Sequence, residues 1–160
     1  MIEPKIIYED NHIIVVIKPQ NISVQEDESQ DIDMLTIIKN FIKERDNKPG
    51  NVFLGLVHRL DRQTGGVMVF AKTSKAASRL SEQLKSKKLK KKYFCVINGR
   101  PQIVQDRLTT YLKKDAKTNT VNICTKLEEG SKEAILEYEV LETKNKLSLI
   151  DINLITYNNF

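Results

Sequence analysis

The chain has 160 residues, of which 40% are hydrophobic and 29% charged, and it carries a formal net charge of +5. A chain of this size buries roughly 70% of its unfolded surface, so it builds a core without staples, and the composition excludes a low-complexity or disordered polymer. No apolar run approaches the roughly 18 residues of a membrane span, and "MIEPKIIYED" lacks the basic and apolar regions of a signal peptide, so a cytoplasmic protein with no membrane partner is expected. The basic balance admits nucleic acid, an anionic surface or nothing specific, and does not choose among them.

In chain order, "KIIYEDNHIIVVIKP" places two β-branched runs on either side of Asp10-Asn11, which is hairpin chemistry, and Pro19 ends the second run. Asp33 is placed to cap a helix over 34–45 in which Leu35, Ile38, Phe41 and Ile42 share a face. "RDNKPGN" closes it. A strand is predicted from Phe53 to Leu60, then a polar loop, then a second strand from Val67 to Ala71. Ser74 is the predicted cap of a further helix, with Ala77, Leu80 and Leu84 on one face and Lys75, Arg79 and Glu82 on the other. After "KSKKLKKK" comes the strand "YFCVINGRP", ended by Asn98-Gly99 and Pro101.

The remainder, "RLTTYLKK", "TVNICTKL", "EAILEYEVLE" and "KLSLIDINLIT", reads as successive strands joined by turns. Strands that follow one another without helical crossovers pair antiparallel. The expected fold is therefore α+β in a single domain over 1–160, a mixed and largely antiparallel sheet with helices packed against it. The last strand is followed by six residues only, so an open sheet edge, and self-association through it, is expected. Cys95 and Cys124 are far apart, with His12 and His58 the only imidazoles, and they read as buried free thiols rather than metal ligands.

The stretch "LVHRLDRQTGGVMVF" puts charge between two runs that otherwise read as buried strand. In an extended segment Arg59 and Asp61 are same-face neighbours, and a strand-end salt bridge is the plain reading. Such a pair contributes roughly 0 to 1 kcal/mol at a surface, so stability gives little reason for it. Asp61 also stands at the mouth of the Gly65-Gly66 loop, where positive backbone torsions and close approach of another molecule are possible. Flanking guanidiniums, Arg59 and Arg62, favour the ionised carboxylate that a nucleophile or base requires, and they suit an anionic substrate. His58 is read as structural and Thr64 as a loop hydrogen-bonder.

"HRLDRQTGGVMVFAK", residues 58–72, closely resembles the signature H-R-L-D-x-x-T-S-G-x-x-x-x-A-K of the RNA pseudouridine synthases related to RluA, with Gly65 where serine is common. "YEDNHIIVVIKP" and "KKYFCVINGRP" resemble further segments of that family, in order, and the resemblance runs from residue 6 to about 156. It implies isomerisation of a uridine within ribosomal or transfer RNA: the N-glycosidic bond breaks, the held uracil turns, and ring carbon 5 is rejoined to the ribose. No cofactor and no metal are implied. Asp61 matches the essential aspartate, which attacks the sugar or removes a proton from it, work comparable to that of carboxylates at an anomeric carbon in glycoside hydrolysis. The uridine has to be turned out of its stack. Arg59 matches an arginine that holds the opened RNA, and Tyr93 matches a tyrosine that packs on the uracil, its plain alternative being a half-buried strand aromatic. Of the six lysines in 85–92, half are assigned to a solvated helix end and the others to phosphates.

The family's last strand runs into T-G-R-x-H-Q-x-R, whose first arginine is expected to pair with the catalytic aspartate. Here Thr156 aligns with that threonine, but Tyr157 stands at the glycine and Asn158 at the arginine. A neutral amide does not replace a bidentate guanidinium, and the chain is expected to be a C-terminally truncated form of a synthase. Two readings stay open on the sequence: an active synthase domain, or a catalytically inactive RNA-binding fragment. A metal-dependent nuclease would want carboxylates clustered for magnesium or a Gly-Lys-Ser/Thr loop, and neither is read from the sequence.

Overall fold

The computed structural model describes residues 3–116, 118 and 120–156. The chain divides into two compact units, Met1–Lys88 and Leu89–Phe160. The first begins with β1 (Lys5–Glu9) and β2 (Ile13–Lys18), an antiparallel hairpin. Its turn is made by Asp10, whose carboxylate accepts the backbone N–H groups of His12 and Ile13 at 2.7 and 2.8 Å. Along β2 the alternation is strict: Ile14, Val16 and Lys18 are buried, and Ile13, Val15 and Ile17 are half-buried.

Helix α1 (Met34–Arg45) starts at Asp33, whose carboxylate accepts Thr36 N–H at 3.0 Å, as the sequence predicts. Ile38 and Ile42 are buried with Met34 and Ile37, while Leu35 and Phe41 pack against the edge of this cluster. The predicted strand over Phe53–Leu60 is much shorter, β3 (Gly55–Leu56), and it pairs with β4 (Gly66–Ala71). The sheet order is β1-β2-β4-β3. Helix α2 (Ser74–Lys85) is capped by Thr73 rather than Ser74; the Thr73 hydroxyl accepts Ala76 N–H at 3.2 Å from an extended backbone. At Gly55 α2 lies close to the sheet, since a Cβ there would be 3.0 Å from that of Ala77.

The second unit is a five-stranded sheet of β5 (Lys92–Asn98), β6 (Gln105–Asp115), β7 (Thr120–Cys124), β8 (Lys132–Lys144) and β9 (Leu147–Leu154). Its order is β5-β9-β8-β6-β7, and every pairing among the described strands in both units is antiparallel. The α+β class stands; the sheet expected to be mixed is two antiparallel ones. The last strand is not an edge. β9 lies between β5 and β8, and beyond it Thr156 continues the pairing, its hydroxyl accepting Ile135 N–H at 2.8 Å. β5 ends at Asn98, and the next residue, Gly99, has a φ of +81° and donates its N–H to Lys146 O at 2.7 Å. Cys95 and Cys124 are free but only half-buried, not the buried thiols expected, because β5 and β7 are the sheet's outer strands.

Candidate active site

The charged stretch leaves the sheet after Leu56. His58 folds back so that its Nε2 accepts the Val69 N–H at 3.2 Å, filling with an imidazole a position on β4 that a longer β3 would have filled with a carbonyl. Leu60 packs against the core next to Gly66, and Arg59 and Asp61 on either side of it are exposed. A tight turn then forms, with Thr64 N–H donating to Asp61 O at 3.0 Å.

What holds this turn is Lys18, which the sequence analysis did not single out. It is the last residue of β2, sits opposite Gly66, and has no solvent exposure. Its ammonium donates to Pro19 O at 3.0 Å, Arg62 O at 3.0 Å and Thr64 O at 2.7 Å. An ammonium has three donors and no acceptor, so these carbonyls satisfy it completely. Burial pushes its pKa below the usual lysine value, and the nearby Asp61 carboxylate works against that shift. Asn21 N–H adds a further bond to Arg62 O at 2.8 Å. A Cβ on Gly65 would come within 3.2 Å of the Gln20 side chain and 3.4 Å of Lys18 O, so the turn also packs closely against the Lys-Pro-Gln segment.

Among the described residues no hydrogen bond or ion pair engages the Asp61 carboxylate or the Arg59 guanidinium, and both project to solvent. Arg62 does not flank Asp61 as expected. Its guanidinium is paired with Asp31, lies 3.6 Å from Asp27 and donates to Ser29 Oγ at 2.7 Å. The expected same-face pairing of Arg59 with Asp61 also fails, since residues 57–60 are not a strand. The Asp61 carboxylate lies near enough to the Lys18 ammonium to oppose the lowering of the lysine's pKa. Thr64 is half-buried and bonds through its backbone, N–H to Asp61 and carbonyl from Lys18. Tyr93, in the second unit, is half-buried on β5 opposite Ile152. Tyr157 and Asn158 lie outside the described residues.

An exposed carboxylate on a turn whose carbonyls are held by a buried ammonium is placed to act as a nucleophile or a base. Among the described residues no group of three or more His, Cys, Asp or Glu is placed to hold an ion.

Comparison with known proteins decides the family. A family profile described as RNA pseudouridylate synthase matches residues 12–157. The chain belongs to the RNA pseudouridylate synthase family. It is 35% identical over 152 residues to the ribosomal large subunit pseudouridine synthase C of Buchnera aphidicola subsp. Baizongia pistaciae, covering 94% of this chain and 46% of that protein. It is 32% identical over 157 residues to an uncharacterised RNA pseudouridine synthase of Mycoplasma genitalium, covering 95% and 48%. Human RNA pseudouridylate synthase domain containing 4 has the same fold over 96% of this chain and 60% of its own, with a TM-score of 0.80 at 20% identity. The chain spans about half the length of these curated relatives. The charged turn and β5, which hold the sequence-predicted site residues of this synthase-family chain, both lie within the matched span.

Proposed function

We propose that this protein isomerises uridine to pseudouridine in RNA, with Asp61 as the acting carboxylate. The observation that carries the reading is Asp61 itself: exposed, on a turn that the buried Lys18 fixes through two of its carbonyls, inside the span that matches the family. The relatives named ribosomal large subunit pseudouridine synthase C point to ribosomal RNA as the substrate. The chemistry conserves every atom of the nucleotide but one hydrogen. The bond from N1 to the ribose breaks, the uracil turns, ring carbon 5 bonds to the same ribose carbon and gives up its hydrogen to solvent, and N1 takes a proton.

In this reading Arg59, exposed next to the turn, holds the opened RNA through its phosphates or bases. Tyr93 packs on the target uracil, Thr64 shapes the turn, and Arg62 meets phosphate once it is free to do so. The reaction uses no cofactor, and the protein works in the cytoplasm.

The test is tritium release from ribosomal RNA transcripts labelled at uridine ring carbon 5. Wild-type protein is expected to release label, and Asp61→Asn to release none while binding the RNA with unchanged affinity. Undiminished release by Asp61→Asn would remove Asp61 from the chemistry. Binding by the wild type without release from any ribosomal transcript would leave an RNA-binding protein rather than a synthase.

A further inference from the structure

Arg62 follows the acting aspartate in sequence, yet its side chain is committed elsewhere. From Pro19 to Ile38 the chain carries Glu26, Asp27, Glu28, Asp31 and Asp33 and no lysine or arginine. Asp33 is engaged in capping α1. The loop formed by residues 27–31 is shaped by its own hydrogen bonds: Asp27 accepts the Ser23 hydroxyl and, at 3.0 and 2.5 Å, the Ser29 N–H and hydroxyl, and Asp31 N–H reaches Ser29 Oγ at 3.2 Å. Into this ready-made acidic cup goes the Arg62 guanidinium. An RNA-directed turn thus has its second arginine neutralised by the loop beside it.

Two features make the pairing exchangeable. The Arg62 side chain is 39% exposed, and those of Asp27 and Asp31 are 40% and 59% exposed, so an anion can compete from solvent. The Arg62 backbone, in contrast, is pinned by Lys18 and Asn21 at its carbonyl. The guanidinium can therefore change partners by side-chain rotation while the turn stays in place. A phosphate offers it the same bidentate geometry as a carboxylate with more negative charge.

We propose that the acidic 27–31 loop is a latch on Arg62: it holds the guanidinium in the RNA-free protein, and a phosphate of docking RNA takes it over from Asp31 and Asp27. The latch opposes RNA binding and confines full engagement of Arg62 to strands that reach the turn. This inference rests on the reading of the protein as an RNA enzyme.

The experiment measures affinity for single-stranded oligouridine RNA, across a salt series, for the wild type, Asp27→Asn/Asp31→Asn, Arg62→Gln and the triple variant. Releasing the latch is expected to tighten binding about tenfold and to steepen the salt slope by up to about 0.7, the value for one neutralised phosphate. In the Arg62→Gln background the same two asparagines are expected to change little. An equal gain in both backgrounds would mean that the loop only repels RNA by its charge, and no gain in either would mean that it holds nothing back; both overturn the latch. A readout without RNA separates this from failure of the functional reading: hydrogen exchange over residues 27–31 is expected to quicken in Arg62→Gln. Unchanged exchange overturns the latch, whereas quickened exchange in a protein that binds no RNA overturns the functional reading instead.

Discussion

A lysine with no exposure to water is costly to place, and Lys18 is tolerated because three backbone carbonyls take its three donors. Two of those carbonyls, from Arg62 and Thr64, belong to the turn that presents Asp61. Lys18→Met keeps the length of the side chain and removes the donors, leaving the Thr64 and Pro19 carbonyls without this partner, whereas Arg62 O keeps its bond from Asn21. Stability is expected to fall by about 3 kcal/mol, read by urea denaturation, and tritium release is expected to fall further than RNA affinity, because what loosens is the position of Asp61. A variant as stable and active as the wild type would show that the turn is held by other means. Half of this device was legible beforehand. Lys18 has the same parity as Ile14 and Val16, so a β2 with an apolar inner face sends it inward. Two of its three acceptors lie 44 and 46 residues away, and all are main-chain carbonyls, which every residue has and no side-chain pattern marks.

At the scale of elements, Glu9 joins three of them. The carboxylate at the end of β1 bonds the Arg45 guanidinium at the end of α1 at 2.7 and 2.9 Å, and the Lys72 ammonium just beyond β4 at 2.5 Å. The Arg45 hydrogen bonds foremost, with Lys72 adding to them, hold its pKa at about 2 against an ordinary 4.5. A carboxylate with a depressed folded pKa binds fewer protons than the unfolded chain, so its stabilisation is complete above about pH 4.5 and lost as the pH falls towards 2. Glu9→Gln is therefore expected to cost on the order of 2 kcal/mol at pH 7, with the difference from wild type closing between pH 5 and 2 in denaturation series. A gap that does not depend on pH would assign the effect to packing. The elements themselves were legible to different degrees. α1 announced itself by an apolar face and a capping aspartate, whereas the strand read over Phe53–Leu60 stopped at Leu56. Hydrophobic alternation cannot foresee a histidine side chain taking over a ladder position, and residues 57–65 lie outside the strands.

For the molecule as a whole, the question is where a net charge of +5 does its work. The run 85–92 holds six of the 26 lysines and arginines, and the sequence divides them evenly between a helix end and phosphates without saying which are which. The structure sorts them by occupation. Lys85 closes the last turn of α2, where a cation suits the helix dipole. Lys92 lies 3.4 Å from Asp151, and Lys91 is half-buried with its pKa lowered by burial. Lys87, Lys88 and Lys90 are exposed and are the ones left for a polyanion. Replacing these three with glutamine should weaken binding to single-stranded RNA and flatten the dependence of log affinity on log salt by up to about 2, at about 0.7 for each phosphate no longer neutralised. Because none of the three belongs to the turn of Asp61, the rate of tritium release at saturating RNA should hold while the concentration needed to reach it rises. If the salt slope is unchanged, the run is no more than a solvated helix end, and the electrostatic attraction of RNA must be sought in Arg59, Arg62 and the other exposed cations.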